Sequence, residues 1–179
     1  MLTEIVISGF GGQGILFAGK CIAYAGMLAG MDVSWLPSYG PEMRGGTANC
    51  SVCLSDGQIG SPLVNNPDIL IAMNTPSFDR FKDTVKPDGC IFTDSSISDR
   101  VSDRDDIYSK YIPASQIAQE NELFGMANII LLGQVIKNCQ SRLGGVNQEM
   151  LKSAFEHIIP QTKRELMERN IKALMLGMA

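Results

Sequence analysis

The residues best placed to do chemistry in this chain lie in two short glycine-rich runs. The first is Gly9-Phe10-Gly11-Gly12-Gln13-Gly14, in which Gly9, Gly11 and Gly14 match the spacing G-x-G-x-x-G. The chemistry on offer is anion binding. Gly9 and Gly11 are read as taking backbone angles that a Cβ forbids, so that a ligand can reach the main chain. Gly14 is read as letting the following helix sit close on the strand, and the first N–H groups of that helix point at whatever anion occupies the turn. The same turn could instead serve only close packing or a subunit contact. The second run is Ser38-Tyr39-Gly40-Pro41-Glu42-Met43-Arg44-Gly45-Gly46-Thr47, which is polar and holds an aromatic, an acid and a base. Loops of this mixture commonly carry function. Arg44 stands beside Gly45 and Gly46, which expose it, and its guanidinium can fork onto a carboxylate or a phosphate. It can equally pair with Glu42 and hold the loop.

Neither run makes or breaks a bond. The sole histidine, His157, falls late on a helical stretch among apolar residues and reads as a helix-surface side chain. No H-E-x-x-H, no G-x-S-x-G and no G-K-[ST] after the glycine turn is present, and the turn closes in Gly14-Ile15-Leu16, which excludes a P-loop. No catalytic residue and no metal ligand is therefore assigned. A nicotinamide dinucleotide site needs an acid at the end of the second strand, roughly 20 residues on, to hold the ribose. Here the second strand is read as Val33 to Pro37, followed by Ser38 and Tyr39, while Asp32 stands at the strand's start on the wrong edge of the sheet.

The elements that hold these runs follow from apolar patterning. Glu4 to Ser8 reads as a strand and Ile15 to Ala29 as a helix, so strand, glycine turn and helix open a nucleotide-binding fold. Thr47 to Leu54 alternates as a strand. Asp56-Gly57 is a hairpin signal, which predicts a returning strand from Gln58 to Gly60 as an insertion at the sheet edge. Ile69 to Asn74 and Cys90 to Asp94 are continuous apolar runs suited to buried parallel strands. Thr75 or Ser77 is expected to cap a helix from Phe78 to Val85. Ile107 to Ile112 reads as a strand and Ala114 to Glu120 as a helix. Gly125 to Cys139 is a helix apolar nearly all round, with little polar face except Asn128, Gln134 and Lys137, so it is buried or lies at an interface. Helices through Ile159 and from Gln161 to Leu176 follow, and Met167, Leu174, Met175 and Leu176 form a stripe that packs on the core or docks on a partner. The expectation is a single α/β domain over residues 1–179, Rossmann-like and doubly wound, with a mainly parallel sheet, a β-hairpin insertion and a helical C-terminal part.

Composition narrows the partners. A net charge of −4 offers no basic excess for nucleic acid. No basic and apolar leader precedes the first strand, and no apolar run reaches bilayer length, so a cytoplasmic protein without membrane contact is expected. The five cysteines, Cys21, Cys50, Cys53, Cys90 and Cys139, are odd in number and read as reduced thiols. Cys50 and Cys53 form one C-x-x-C, but three residues apart on a strand puts the sulfurs on opposite faces. No second C-x-x-C completes a four-thiolate cluster.

The pair of runs, Gly9 to Gly14 and Pro37 to Ala48, in this order and separation, resembles the gamma subunit of the 2-oxoacid:ferredoxin oxidoreductases over essentially the whole chain. The form Ser38-Tyr39-Gly40-Pro41-Glu42 looks more like the 2-ketoisovalerate and 2-oxoglutarate branches than the indolepyruvate branch, with pyruvate enzymes still open. The resemblance implies a part of a larger machine, one that oxidatively decarboxylates a 2-oxoacid, joins the acyl group to coenzyme A and passes electrons to ferredoxin. It places thiamine diphosphate and iron–sulfur clusters on partner subunits: thiamine-binding alpha and beta subunits and an iron–sulfur subunit. Gly9, Gly11, Gly12, Gln13 and Gly14, with Tyr39, Arg44, Gly45, Gly46 and Thr47, are then expected to form the coenzyme A path or the subunit interface. A homodimer is also open. The alternatives are an independent nucleotide-dependent oxidoreductase and a stand-alone nucleotide-binding or scaffold module.

Overall fold

Alternating burial along the first strand decides how the sheet divides its two faces. In β1 (Leu2–Gly9), Ile5 and Ile7 join the larger core while Val6 joins the smaller one on the other side. The computed structural model describes residues 1–38 and 48–179, and in it β1 lies inside a sheet of six strands ordered β2-β3-β1-β4-β5-β6. The other strands are β2 (Asp32–Ser38), β3 (Ala48–Ser55), β4 (Ile69–Ala72), β5 (Cys90–Asp94) and β6 (Tyr108–Ile112). β1, β4, β5 and β6 pair in parallel, whereas β3 runs antiparallel to both β1 and β2. The sheet is thus mixed and mainly parallel, as expected for an α/β fold. β4 and β5 are buried on both faces, which accounts for their unbroken apolar sequence.

The hairpin is real but lies elsewhere than the sequence suggests. No strand forms over residues 58–60. The antiparallel pair is β2 with β3, in register from Asp32 opposite Ser55 to Ser38 opposite Asn49. β3 already has β2 on one edge and β1 on the other, so a strand returning after Asp56-Gly57 has no free backbone to bond. The Ser55 Oγ instead accepts the Gly57 N–H at 3.1 Å, and the chain leaves the sheet.

Helices cover the faces unequally. α1 (Ile15–Leu28), α3 (Ala114–Glu120), α4 (Ala127–Cys139), α5 (Gln148–Ile158) and α6 (Arg164–Met178) build the larger core. On the other face α2 (Thr75–Phe81) sets Phe78 against Val6, Leu70, Ala72 and Ile91. Neither Thr75 nor Ser77 caps α2; Asn74 does, its Oδ1 accepting the Ser77 N–H at 2.8 Å. α4 is the central helix, with every residue but Lys137 and Asn138 buried, which is why its sequence shows so little polar face. α6 lies on it with Gly177 against the Ile130 backbone and Gly133 against Leu174 and Gly177, a backbone-to-backbone approach that side chains would block. Leu174 is buried there, Met167 and Leu176 pack on the core, and Met175 stays exposed. Among the described residues no helix is long and apolar enough to cross a membrane.

Candidate functional site

The glycine turn sits at the carboxyl end of β1, where α1 leads toward β2 and β3 while the parallel neighbour β4 lies on the other side. That divergence opens a crevice at the carboxyl ends of the strands, the usual ligand position in such folds. Gln13 ties the turn to β4. Its Oε1 accepts the Phe10 N–H at 2.6 Å and its Nε2 donates to the Met73 carbonyl at 3.2 Å. Asn74 Nδ2 reaches the same Oε1 at 3.4 Å, and Ser77, which Asn74 caps, meets the buried Ser8 hydroxyl at 3.0 Å. This knot of amides and hydroxyls locks the strand ends beneath the turn.

The glycines divide by what surrounds them, and not as the spacing implied. The positive backbone angles belong to Gly12, at φ +90°, and Gly14, at φ +73°, rather than to Gly9 and Gly11. A Cβ at Gly9 would meet Gln13 and Ile15, and one at Gly14 would meet the Asn128 amide on α4, not the strand. At Gly11 and Gly12 a Cβ would meet nothing within 4 Å among the described residues. Packing therefore explains Gly9 and Gly14, and it leaves the main chain at Gly11 and Gly12 open to an approaching molecule.

Two clefts flank that open stretch. One, of about 240 Å³, lies between Gly12 and Gln13, Met73 just beyond β4, Ser115 and Gln119 of α3, Phe124 and Gly125 ahead of α4, and Ala127 at its start. The other, of about 300 Å³, runs along Phe10 to Gly12, the first turn of α1 and Ala48. Gly12 lines both. The α1 ladder begins with the Ala18 N–H on the Gly14 carbonyl at 3.0 Å, so the N–H groups of Ile15, Leu16 and Phe17 lie ahead of it. No described side chain caps that helix, and its first turn carries no acid, which leaves its positive end facing the second cleft.

Tyr39, Arg44, Gly45, Gly46 and Thr47 lie outside the described residues. The chain on either side of them is placed: β2 ends at Ser38, and β3 begins at Ala48, directly opposite Gly9 in register. β2 carries Pro37 and Ser38 at its carboxyl end, and Asp32 stands at the far end. Sequence reasoning missed Asn74, Ser115 and Gln119, which sit in ordinary loop or helix context. It noted Asn128 only as one of the few polar residues on an apolar helix, and that oddity was the signal. Ser115 is set by Asp94, buried at the end of β5, whose Oδ2 accepts the Ser115 hydroxyl at 2.6 Å.

The cysteines behave as core residues. Cys50 faces α1 and donates to the Ile15 carbonyl at 3.6 Å, whereas Cys53 faces the other way, toward the Ser61 carbonyl at 3.9 Å. Burial pushes the Cys50 thiol up to about 12, against hydrogen bonds involving Trp35 and Gly19 that pull it down. Burial raises Cys21 as well. His157 stacks on Tyr24 of α1 with ring centroids 5.1 Å apart, an exposed helix-surface contact.

The family model described as pyruvate ferredoxin/flavodoxin oxidoreductase matches residues 4–179. The ketoisovalerate oxidoreductase subunit VorA of Methanothermobacter marburgensis is 35% identical over 175 residues, which are 98% of this chain and 36% of that protein. The chain thus spans about a third of the length of that relative. A solved gamma subunit of a keto/oxoacid ferredoxin oxidoreductase from Geobacter sulfurreducens superposes with a TM-score of 0.82 at 28% identity, covering 98% of this chain and 96% of that one. A 2-oxoglutarate:ferredoxin oxidoreductase from Magnetococcus marinus, solved with 2-oxoglutarate, coenzyme A and succinyl-CoA bound, superposes with a TM-score of 0.83 at 25% identity, over 98% of this chain and 30% of that chain.

Proposed function

The chain belongs to the pyruvate ferredoxin/flavodoxin oxidoreductase family, and from that membership we propose that it is the gamma-type subunit of a multi-subunit 2-oxoacid:ferredoxin oxidoreductase. The whole assembly would convert a 2-oxoacid and coenzyme A into an acyl-CoA and carbon dioxide, passing the two electrons released to ferredoxin. Support for a gamma-type part comes from the Geobacter subunit, which this chain matches over nearly its full length. The partners are thiamine-binding alpha and beta subunits and an iron–sulfur subunit. We assign thiamine diphosphate and the clusters to those partners; for the clusters this is supported by the single C-x-x-C of this chain, whose Cys50 and Cys53 face opposite sides of the sheet. The 2-oxoacid, its contacts lying largely on the partners, remains of the ketoisovalerate, 2-oxoglutarate or pyruvate kind. A cytoplasmic setting accords with a ferredoxin-linked enzyme.

Within that assembly we assign the glycine turn to coenzyme A. The observation that carries this is the main chain at Gly11 and Gly12, open among the described residues, where two clefts meet beside a helix end that no described side chain caps. A phosphate of coenzyme A suits the α1 terminus, and Arg44 is proposed to meet either a second phosphate or a carboxylate of a partner chain. The turn supplies no acid, base or nucleophile; it binds and orients, so that the thiol can reach an acyl group held on a partner.

Gly11→Asp tests the assignment, because its side chain has room among the described residues and its charge opposes phosphate. Titration of coenzyme A into the assembled complex is expected to show affinity falling about tenfold or more, with assembly intact. Unchanged affinity in an intact complex would overturn the assignment.

A further inference from the structure

Asn128 is an odd residue for its place. It lies in the first turn of the most buried helix, is itself 3% exposed, and its Oδ1 has no hydrogen-bond partner among the described residues. An orphaned buried acceptor is costly, and an apolar side chain of similar volume would suit that helix better. Its one polar contact is specific: Nδ2 donates to the Gly14 carbonyl at 2.9 Å.

That carbonyl is a telling target. It already accepts the Ala18 N–H that starts α1. The Gly14 carbonyl and the Ile15 N–H belong to one planar peptide group and point in opposite directions. Fixing the carbonyl therefore fixes the direction of the Ile15 N–H, the first donor ahead of the helix ladder. A hydrogen bond to the oxygen also polarises the peptide and strengthens its N–H as a donor. The Asn128 amide fills the space that a side chain at position 14 would need, so the glycine and the asparagine are shaped to each other. Asn128 directly follows Ala127, which lines the first cleft, while Gly14 and Ile15 line the second. One hydrogen bond thus yokes the wall of one cleft to the donor face of the other.

We infer that Asn128 is a positioning residue, holding the Gly14–Ile15 peptide so that the first α1 donor meets the phosphate of coenzyme A. This rests on the coenzyme A assignment above. The informative variant is Asn128→Leu, which keeps the branched shape and the number of side-chain heavy atoms, adds some bulk, removes the hydrogen bond and removes the orphaned oxygen. In the assembled complex, thermal unfolding is expected to be unchanged or shifted upward, while coenzyme A affinity falls about threefold to tenfold. KM for coenzyme A should rise with KM for the 2-oxoacid unchanged, a split that a purely structural role would not produce. Asn128→Ala, which adds no bulk, should weaken coenzyme A binding similarly and covers the case in which leucine disrupts packing. Wild-type coenzyme A affinity in both variants, with Gly11→Asp still impaired, would overturn the inference and leave the assignment standing. If Gly11→Asp binds normally too, the assignment has failed and the inference falls with it.

Discussion

A side chain at Gly14 would run into the Asn128 amide and would have to adopt φ +73°, whereas one at Gly11 would meet no described atom within 4 Å and needs no positive φ. Gly14→Ala is therefore expected to destabilise the chain by about 1–3 kcal/mol, and Gly11→Ala to change stability by less than about 0.5 kcal/mol. Chemical denaturation of the two variants side by side checks this; equal losses would mean that the turn is packed along its whole length and offers no open backbone. At this scale the sequence was partly legible. The G-x-G-x-x-G spacing located the turn, because strand and helix flank it directly. It did not tell which glycine does what, since the neighbours that fill the space at Gly9 and Gly14 include Met73 beyond β4 and Asn128 on α4, the latter more than a hundred residues further along the chain. Gln13 was drawn into the site by its place in the motif, and its role emerged only from its bonds to Phe10 and Met73.

Helix α4 shows how one element organises the others. Its apolar sequence announces burial but not the side that each neighbour takes. The structure puts α6 along it with glycine against backbone, so Gly177→Ala would drive a methyl group into the Ile130 carbonyl, which no rotamer change relieves. A loss of about 1–3 kcal/mol is expected, and amide exchange should quicken first in α6 and the facing turns of α4. Exchange rising instead in β1 and β4 would mean that the helical part and the sheet open together. The strands were legible as far as burial on both faces dictates an apolar run, which is why the Cys90–Asp94 strand was read at its true bounds. The hairpin was misplaced because Asp56-Gly57 has turn chemistry while the edges of β3 are occupied, a fact of strand order that local sequence does not carry. The cap of α2 was missed by a single residue, since Asn74 closes the preceding apolar run and was counted with the strand.

On the scale of the molecule, the sheet presents its carboxyl ends, the glycine turn and both clefts on one side. The larger core is complete on the face of α4, and the other face carries α2 over β4 and β5. Under the proposed function the chain binds and orients, and partners would finish the chemistry. The most direct measurement is isolation of the chain from its native cells with whatever accompanies it, followed by an assay of 2-oxoacid-dependent ferredoxin reduction with and without coenzyme A. The account expects recovery in fixed ratio with thiamine-binding and iron–sulfur subunits, ferredoxin reduction that requires coenzyme A, and amide protection of residues 9–18 when coenzyme A is added. Recovery as a lone chain, or an active complex in which coenzyme A leaves residues 9–18 unprotected, would contradict it.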